Sequence, residues 1–156
     1  MTDDIAISHL QKRKIEARAL IPFIKACREK FGDGPTGELI AATIDAYAAE
    51  EGAKWAERFG GDIAGLRQLA ETVWAGAGGL DFEVVDQSKD GLAFNVTRCR
   101  YAEFFKELGL PDLGVLIHCN RDRAMVKGFN DALSLERSQT IMQGGSCCDF
   151  RFRRKQ

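Results

Sequence analysis

The chain changes its hydrophobic period once, at Gly78-Gly79, and that switch constrains the fold more than any other feature. Before it, apolar residues recur at helical spacing among Lys and Arg. After it, short runs alternate between apolar and polar residues. A helical half (1–78) followed by a strand-containing half (79–156) predicts one α+β domain: N-terminal helices packed on a four-stranded antiparallel sheet made of two hairpins.

In the first half, Ile5, Ile15, Phe23, Ile24, Cys27 and Phe31 mark a helix face, with Cys27 expected in the core. Gly32 and Gly34-Pro35 stop that helix, and Pro22 predicts a kink or break within it. Thr36 is the expected N-cap of a second helix carrying Leu39, Ile40, Ile44, Tyr47, Trp55 and Phe59, and Gly60-Gly61 ends it. Asp62 can cap a third, with Ile63, Leu66, Leu69, Val73 and Trp74 on its apolar side. Trp55, Phe59 and Trp74 suit core packing or, as a rival, a helix-mediated dimer.

In the second half, LDFEVVDQS and LAFNVTRC flank Lys89-Asp90-Gly91 as a hairpin. Tyr101 to Leu108 read as a helix closed by Gly109. Pro111 opens another through Leu113, Leu116 and Ile117, and a further amphipathic stretch runs from Asp122 to Phe129. LERSQTIM and CCDFRFRR flank Gln143-Gly144-Gly145-Ser146 as the second hairpin. Neighbours on a strand point to opposite faces, so one of Cys147 and Cys148 can face the interior and the other solvent or a partner; if Cys148 shares a face with Phe150 and Phe152, it points inward.

Composition narrows the function classes. There are 22 Lys and Arg against 23 Asp and Glu, for a net charge of −1. That balance argues against a dedicated nucleic-acid binder or a polybasic membrane anchor. No apolar run approaches the ~20 residues that span a bilayer. The polar start, with two early acids, lacks a signal-peptide pattern. Five cysteines without framework spacing suit a reduced, cytoplasmic chain.

Four of those cysteines lie in the strand-containing half. Cys119 stands beside His118 and three residues before Asp122, and Cys148 stands beside Asp149. Closure onto one sheet would bring Cys119, Asp122, Cys148 and Asp149 together. Free cysteine more often packs as a small hydrophobe. A nucleophilic thiolate needs a cationic neighbour, and His118 could supply it. Asp122 suits a general base or, equally, a helix cap in competition with Asn120. His9, amid polar residues, reads as solvent-facing. Arg137, Arg151, Arg153 and Arg154 form a basic group suited to a carboxylate, or a solvated edge. Zinc is a rival at Cys99, His118, Cys119 and Cys148, but no CxxC spacing supports it, so no cofactor is expected.

TRCRYAEFFKELGLPDLGVLIHCNRD and ERSQTIMQGGSCCDFRFRRK together resemble the L-2-amino-thiazoline-4-carboxylic acid hydrolase family. The signature is Cys99 after a strand, a Leu-Gly-x-Pro-x-Leu-Gly turn, Cys119-x-x-Asp122, and Gly144-x-x-x-Cys148-Asp149-Phe150. The likeness runs from the strand near Leu92 to the end of the chain. It implies hydrolysis of a small amino-acid-like cyclic amidine, with water added to the thiazoline ring to give an N-carbamoyl cysteine. On that resemblance Asp122 and Asp149 are candidate bases, and Cys148 and Cys119 are candidate nucleophile or pocket wall. Arg137, Arg151, Thr140, His118 and Cys99 are expected to contact substrate, with Arg137 or Arg151 holding its carboxylate.

The element order is also similar to vinyl-reductase-type sensor domains and transport-particle subunits, ligand-binding folds that often form homodimers through their helices. Sensor versions can bind zinc through a Glu-x-x-Cys ahead of the final Cys. The corresponding positions here are Arg137 and Thr140, which cannot serve. The alternative to a hydrolase is therefore a non-catalytic ligand-binding or redox-sensing module of the same fold.

Overall fold

A computed structural model describes residues 6–156; Ile5 lies outside them. Ser8 starts α1 (His9–Phe31) by a capping box with Gln11. α1 runs on through Pro22 as one helix rather than breaking there. Gly32, at φ +88°, ends α1 and leads directly into α2 (Asp33–Phe59). Thr36 is therefore buried inside the first turns of α2 and does not cap it. Pro35 is tolerated there because first-turn N–H groups need no intrahelical partner.

The buried stripe of α1 differs from the expected one. Leu10, Arg13, Ala17, Ile21 and Ile24 face inward. Ile15 and Phe31 are exposed, Phe23 is 73% exposed, and Cys27 is half-exposed instead of core. Arg13 is the position that misleads, because a buried guanidinium shifts the apparent apolar face.

Asp62 caps α3 (Ile63–Leu69) by accepting from the Gly65 amide at 2.8 Å. The chain then widens into a π turn, Ala70–Trp74, and a short 3-10 turn, Gly76–Gly78, before the sheet. β1 (Leu80–Gln87) and β2 (Gly91–Cys99) form the expected hairpin. Three short helical segments follow. They are α4 (Arg100–Glu107), α5 (Pro111–Gly114) with its π continuation Val115–Cys119, and α6 (Arg121–Phe129).

The sheet closes with β3 (Leu133–Glu136) and β4 (Cys148–Arg154), giving the order β1-β2-β4-β3, antiparallel throughout. β3 stops well short of the predicted LERSQTIM strand. The amides of Ser138 and Gln139 bond the Asp149 carboxylate instead of a neighbouring strand. Thr140 then caps a 3-10 turn at Ile141–Gln143.

Leu92, Phe94 and Val96 of β2 lie opposite Phe152, Phe150 and Cys148 of β4, and all six are buried on the helix-facing side. Phe94 and Phe150 stack with ring centroids 5.0 Å apart. α6 packs on α2 at backbone contact: a Cβ on Gly52 would lie 2.0 Å from the Met125 carbonyl oxygen. That approach sets Glu51 and Trp55 beside Arg121 and Met125.

Candidate active site

One cavity, of about 60 Å³, opens between the helices and the inner face of the sheet. That is room for a few waters or one small ring. β4 brings Cys148 and Phe150 to its floor, and β2 brings Val96 and Cys99. Helices α1, α2 and α6 supply the opposite wall.

Both π turns end at this cavity. The first closes with the Ala75 amide donating to the Ala70 carbonyl at 2.9 Å, and it presents Trp74. The second closes with Asn120 donating to Val115 at 3.0 Å, and it presents His118 and Cys119. Such widened turns are rare and concentrate at functional sites.

The polar centre is Asp122. Its Oδ2 lies 2.5 Å from Arg137 Nη1, while Arg137 Nη2 donates to the Cys119 carbonyl at 2.9 Å. Arg137 also stands over the Phe150 ring, 5.0 Å from its centroid. Burial pushes the Asp122 carboxyl above its ordinary range, and Arg137 partly offsets that. Asp122 does not cap α6, and neither does Asn120.

Three thiols surround this pair. Cys99 caps α4, accepting from the Ala102 amide at 3.4 Å, and Cys148 accepts from the Ile141 amide at 3.2 Å. Burial raises Cys99 to about 11 and also pushes Cys119 and Cys148 up. All three stay protonated at neutral pH. His118 cannot supply the expected cationic partner. Burial, then Arg13, drives it well below its ordinary value, so it is neutral. Its ring stacks on Tyr101 at 4.5 Å.

His9 is not solvent-facing as its polar neighbours imply. Its Nδ1 lies 2.9 Å from the Tyr101 hydroxyl, which in turn donates to the Trp74 carbonyl at 3.2 Å. His9 Nδ1 is therefore the donor, and burial followed by Arg13 lowers its pKa to about 3.

Of the residues expected from sequence, Cys99, His118, Cys119, Asp122, Arg137 and Cys148 all line the cavity. Three others do not. Asp149 points from the outer face of β4 and clamps the Ser138 and Gln139 amides at 3.0 and 2.9 Å. Arg151 shares that outer face, donating to the Phe94 carbonyl at 3.1 Å and to Asn95 Oδ1 at 2.9 Å. Thr140 is buried as the cap of its 3-10 turn. Period-two alternation on β4 is the cause for Asp149 and Arg151.

The cavity also holds residues that sequence reading missed. Arg13, Glu51 and Arg121 are buried charges on three different segments. Glu51 Oε2 accepts from both guanidinia at 2.6 Å. Burial pushes Glu51 up, but Arg13 and Arg121 outweigh it and hold the carboxyl at about 2. Among the described residues, no three His, Cys, Asp or Glu side chains are placed to hold one metal ion.

Residues 12–152 match the sequence model of L-2-amino-thiazoline-4-carboxylic acid hydrolase. The chain belongs to that family. The match takes in the helical half, and so covers α1 from Lys12 onward and the Glu51 cluster as well as the strand-borne thiols. No curated protein matches this hydrolase-family chain. Among solved structures it is similar to a trafficking protein particle complex subunit 3 from Naegleria fowleri, covalently bound to palmitic acid. The TM-score is 0.59 at 12% identity, over 92% of this chain and 95% of that one. At that identity the likeness concerns the fold, which is the helix-on-sheet arrangement expected from sequence.

Proposed function

We propose that this member of the family hydrolyses the ring of a small cyclic amidine of the thiazoline carboxylate type. The observation that carries it is Asp122, held at 2.5 Å by Arg137 on the wall of a ring-sized cavity. The Asp122 carboxylate takes one proton of water as the oxygen bonds to the amidine carbon, and the carbon–nitrogen double bond becomes single. The new hydroxyl becomes the urea carbonyl as the carbon–sulfur bond breaks; its proton ends on the ring nitrogen, and Asp122 returns the first proton to the leaving sulfur. Water rather than a thiolate is the nucleophile, because burial keeps Cys99, Cys119 and Cys148 protonated. These thiols, with Phe150 and Val96, form the ring's apolar walls. No bound cofactor takes part in this scheme.

The test is direct. The chain is incubated with L-2-amino-thiazoline-4-carboxylate, and the N-carbamoyl cysteine product is quantified. Asp122→Asn should cut turnover by about 10²- to 10⁴-fold with the fold intact. Absence of ring opening by the wild type, or an Asp122→Asn variant of full activity, removes the proposal.

A second reading is a non-catalytic or redox-sensing ligand module. Its support is the fold likeness to a subunit that carries a bound ligand, together with protonated rather than activated cysteines. Ligand retention in native mass spectrometry without product formation would favour it. Five free thiols support a reducing, cytoplasmic setting. The apolar residues that α1 and α2 leave exposed, Ile15, Phe23, Phe31 and Leu39, support a homodimer, checked by analytical ultracentrifugation.

A further inference from the structure

Glu51 is one carboxylate set against a surplus of cations. Its Oε2 accepts from Arg13 and Arg121, and its Oε1 accepts from Lys12 Nζ at 3.0 Å. Glu16 takes the second arm of Arg13 at 2.7 Å. Lys12 and Glu16 are 40% and 30% exposed, so water screens both. What remains buried is two guanidinia on one carboxylate, with side chains 7% and 7% exposed against 8%. The Asp122–Arg137 pair is internally balanced and cannot absorb the excess. A buried charge without a counter-charge is costly. Burial and the facing Arg13 both lower the pKa of Arg121.

Polar atoms are also left over at the same place. Arg13 Nε is buried without a partner among the described residues, and so is His118 Nδ1. Arg121 has five N–H donors, and its one hydrogen bond among the described residues goes to Glu51. All three residues line the cavity.

We propose that Arg13 and Arg121 form a carboxylate-binding subsite on the cavity wall, selecting a ligand that carries a single negative charge. The inference deepens the ring-opening reading and rests on it only for the identity of the substrate. Arg137 is committed to Asp122, and Arg151 lies on the outer face, so neither holds the substrate carboxylate. One surplus positive charge matches a monoanion, whereas a dianionic phosphate would leave an excess of the opposite sign. The subsite therefore orients the ring, with its acid toward α1 and α6 and its amidine carbon toward Asp122.

Thiazole-4-carboxylate and thiazole-4-carboxamide test this, because the aromatic ring resists opening and binding is read without turnover. Calorimetric titration of the full chain should show the carboxylate binding about 10- to 100-fold tighter than the amide. Arg121→Gln should erase that preference while leaving the amide's affinity in place, and Arg121→Lys should restore part of it. Should these variants fail to fold, 15N-arginine spectra of the wild type still decide. An Nε–H resonance should move on adding the carboxylate and not the amide. Equal affinity for the two probes, a preference that survives Arg121→Gln, or unmoved arginine resonances would each overturn the subsite. A chain that prefers the carboxylate yet never opens thiazoline rings keeps the subsite and loses the hydrolase. Ring opening without the preference does the reverse.

Discussion

Arg137 Nη1 lies 2.5 Å from Asp122 Oδ2, and the other arm of the same guanidinium holds the Cys119 carbonyl. One side chain thus fixes both the carboxylate and the end of the π turn that precedes it. It also restrains the proton affinity that burial gives Asp122.

Replacing Arg137 should therefore move the pH profile. Asp122 must be ionised to act as a base, so activity rises through its pKa. Arg137→Gln removes a restraint that lowers that pKa, and the acid limb of kcat/KM should shift to higher pH. A limb that stays in place, or moves to lower pH, would show that Asp122 does not govern the reaction.

Thiol labelling should divide the five cysteines. Cys27 and Cys147 are half-exposed, whereas Cys99, Cys119 and Cys148 are buried with raised pKa values. Iodoacetamide at pH 8 should modify the first two quickly and the cavity thiols slowly, as read by peptide mass spectrometry. Fast alkylation of Cys148 or Cys119 would return the thiolate nucleophile to contention.

Much of this site was legible in the sequence, and the failures share a cause. Cys119, Asp122 and Cys148 converge because the elements that bear them close on one sheet, which element order already implies. Asp149 adjoins Cys148 in the chain, yet the alternation that separates Cys147 from Cys148 separates Cys148 from Asp149 as well. Arg13, Glu51 and Arg121 were invisible because charge on an amphipathic helix ordinarily marks the wet face. Only the tertiary meeting of three segments reveals that these charges gather inside, two guanidinia around one carboxylate. The shortened β3 has a similar origin, since a side chain, Asp149, took the amides that a ladder would have used.

Acid should unfold the chain in two stages. Folding lowers His9 from 6.5 to about 3 and His118 well below 6.5, so the unfolded state binds more protons and stability begins to fall below pH 6.5. Glu51, lowered from 4.5 to about 2, adds stability above pH 4.5 that is lost as pH falls through 2. That second contribution is on the order of 3 kcal/mol. Glu51→Gln should shrink the lower stage to what the other lowered carboxyls, such as Asp149, contribute, and destabilise the chain at neutral pH by about 3–5 kcal/mol, since two buried guanidinia lose their partner. Urea midpoints measured from pH 7 to pH 2 check both, and a Glu51→Gln curve parallel to wild type would refute the assignment.

Gly52→Ala probes the contact between α2 and α6. The added methyl would sit 2.0 Å from the Met125 carbonyl oxygen, so the two helices must separate. A loss of about 1–3 kcal/mol is expected in chemical denaturation, with weakened coupling between Glu51 and Arg121. Unchanged stability would mean that the helices are not in backbone contact.

The π turn at Val115–Cys119 makes the length of that segment a functional quantity. Deleting one residue there would let the wide turn tighten to ordinary α-helical bonding, with the flanking segments kept nearly in phase because the turn had absorbed the extra residue. The widened backbone that presents His118 and Cys119 to the cavity would be gone although every one of these residues survived. Descendants of this chain can exchange many side chains along that stretch, but a gap in it disarms the pocket.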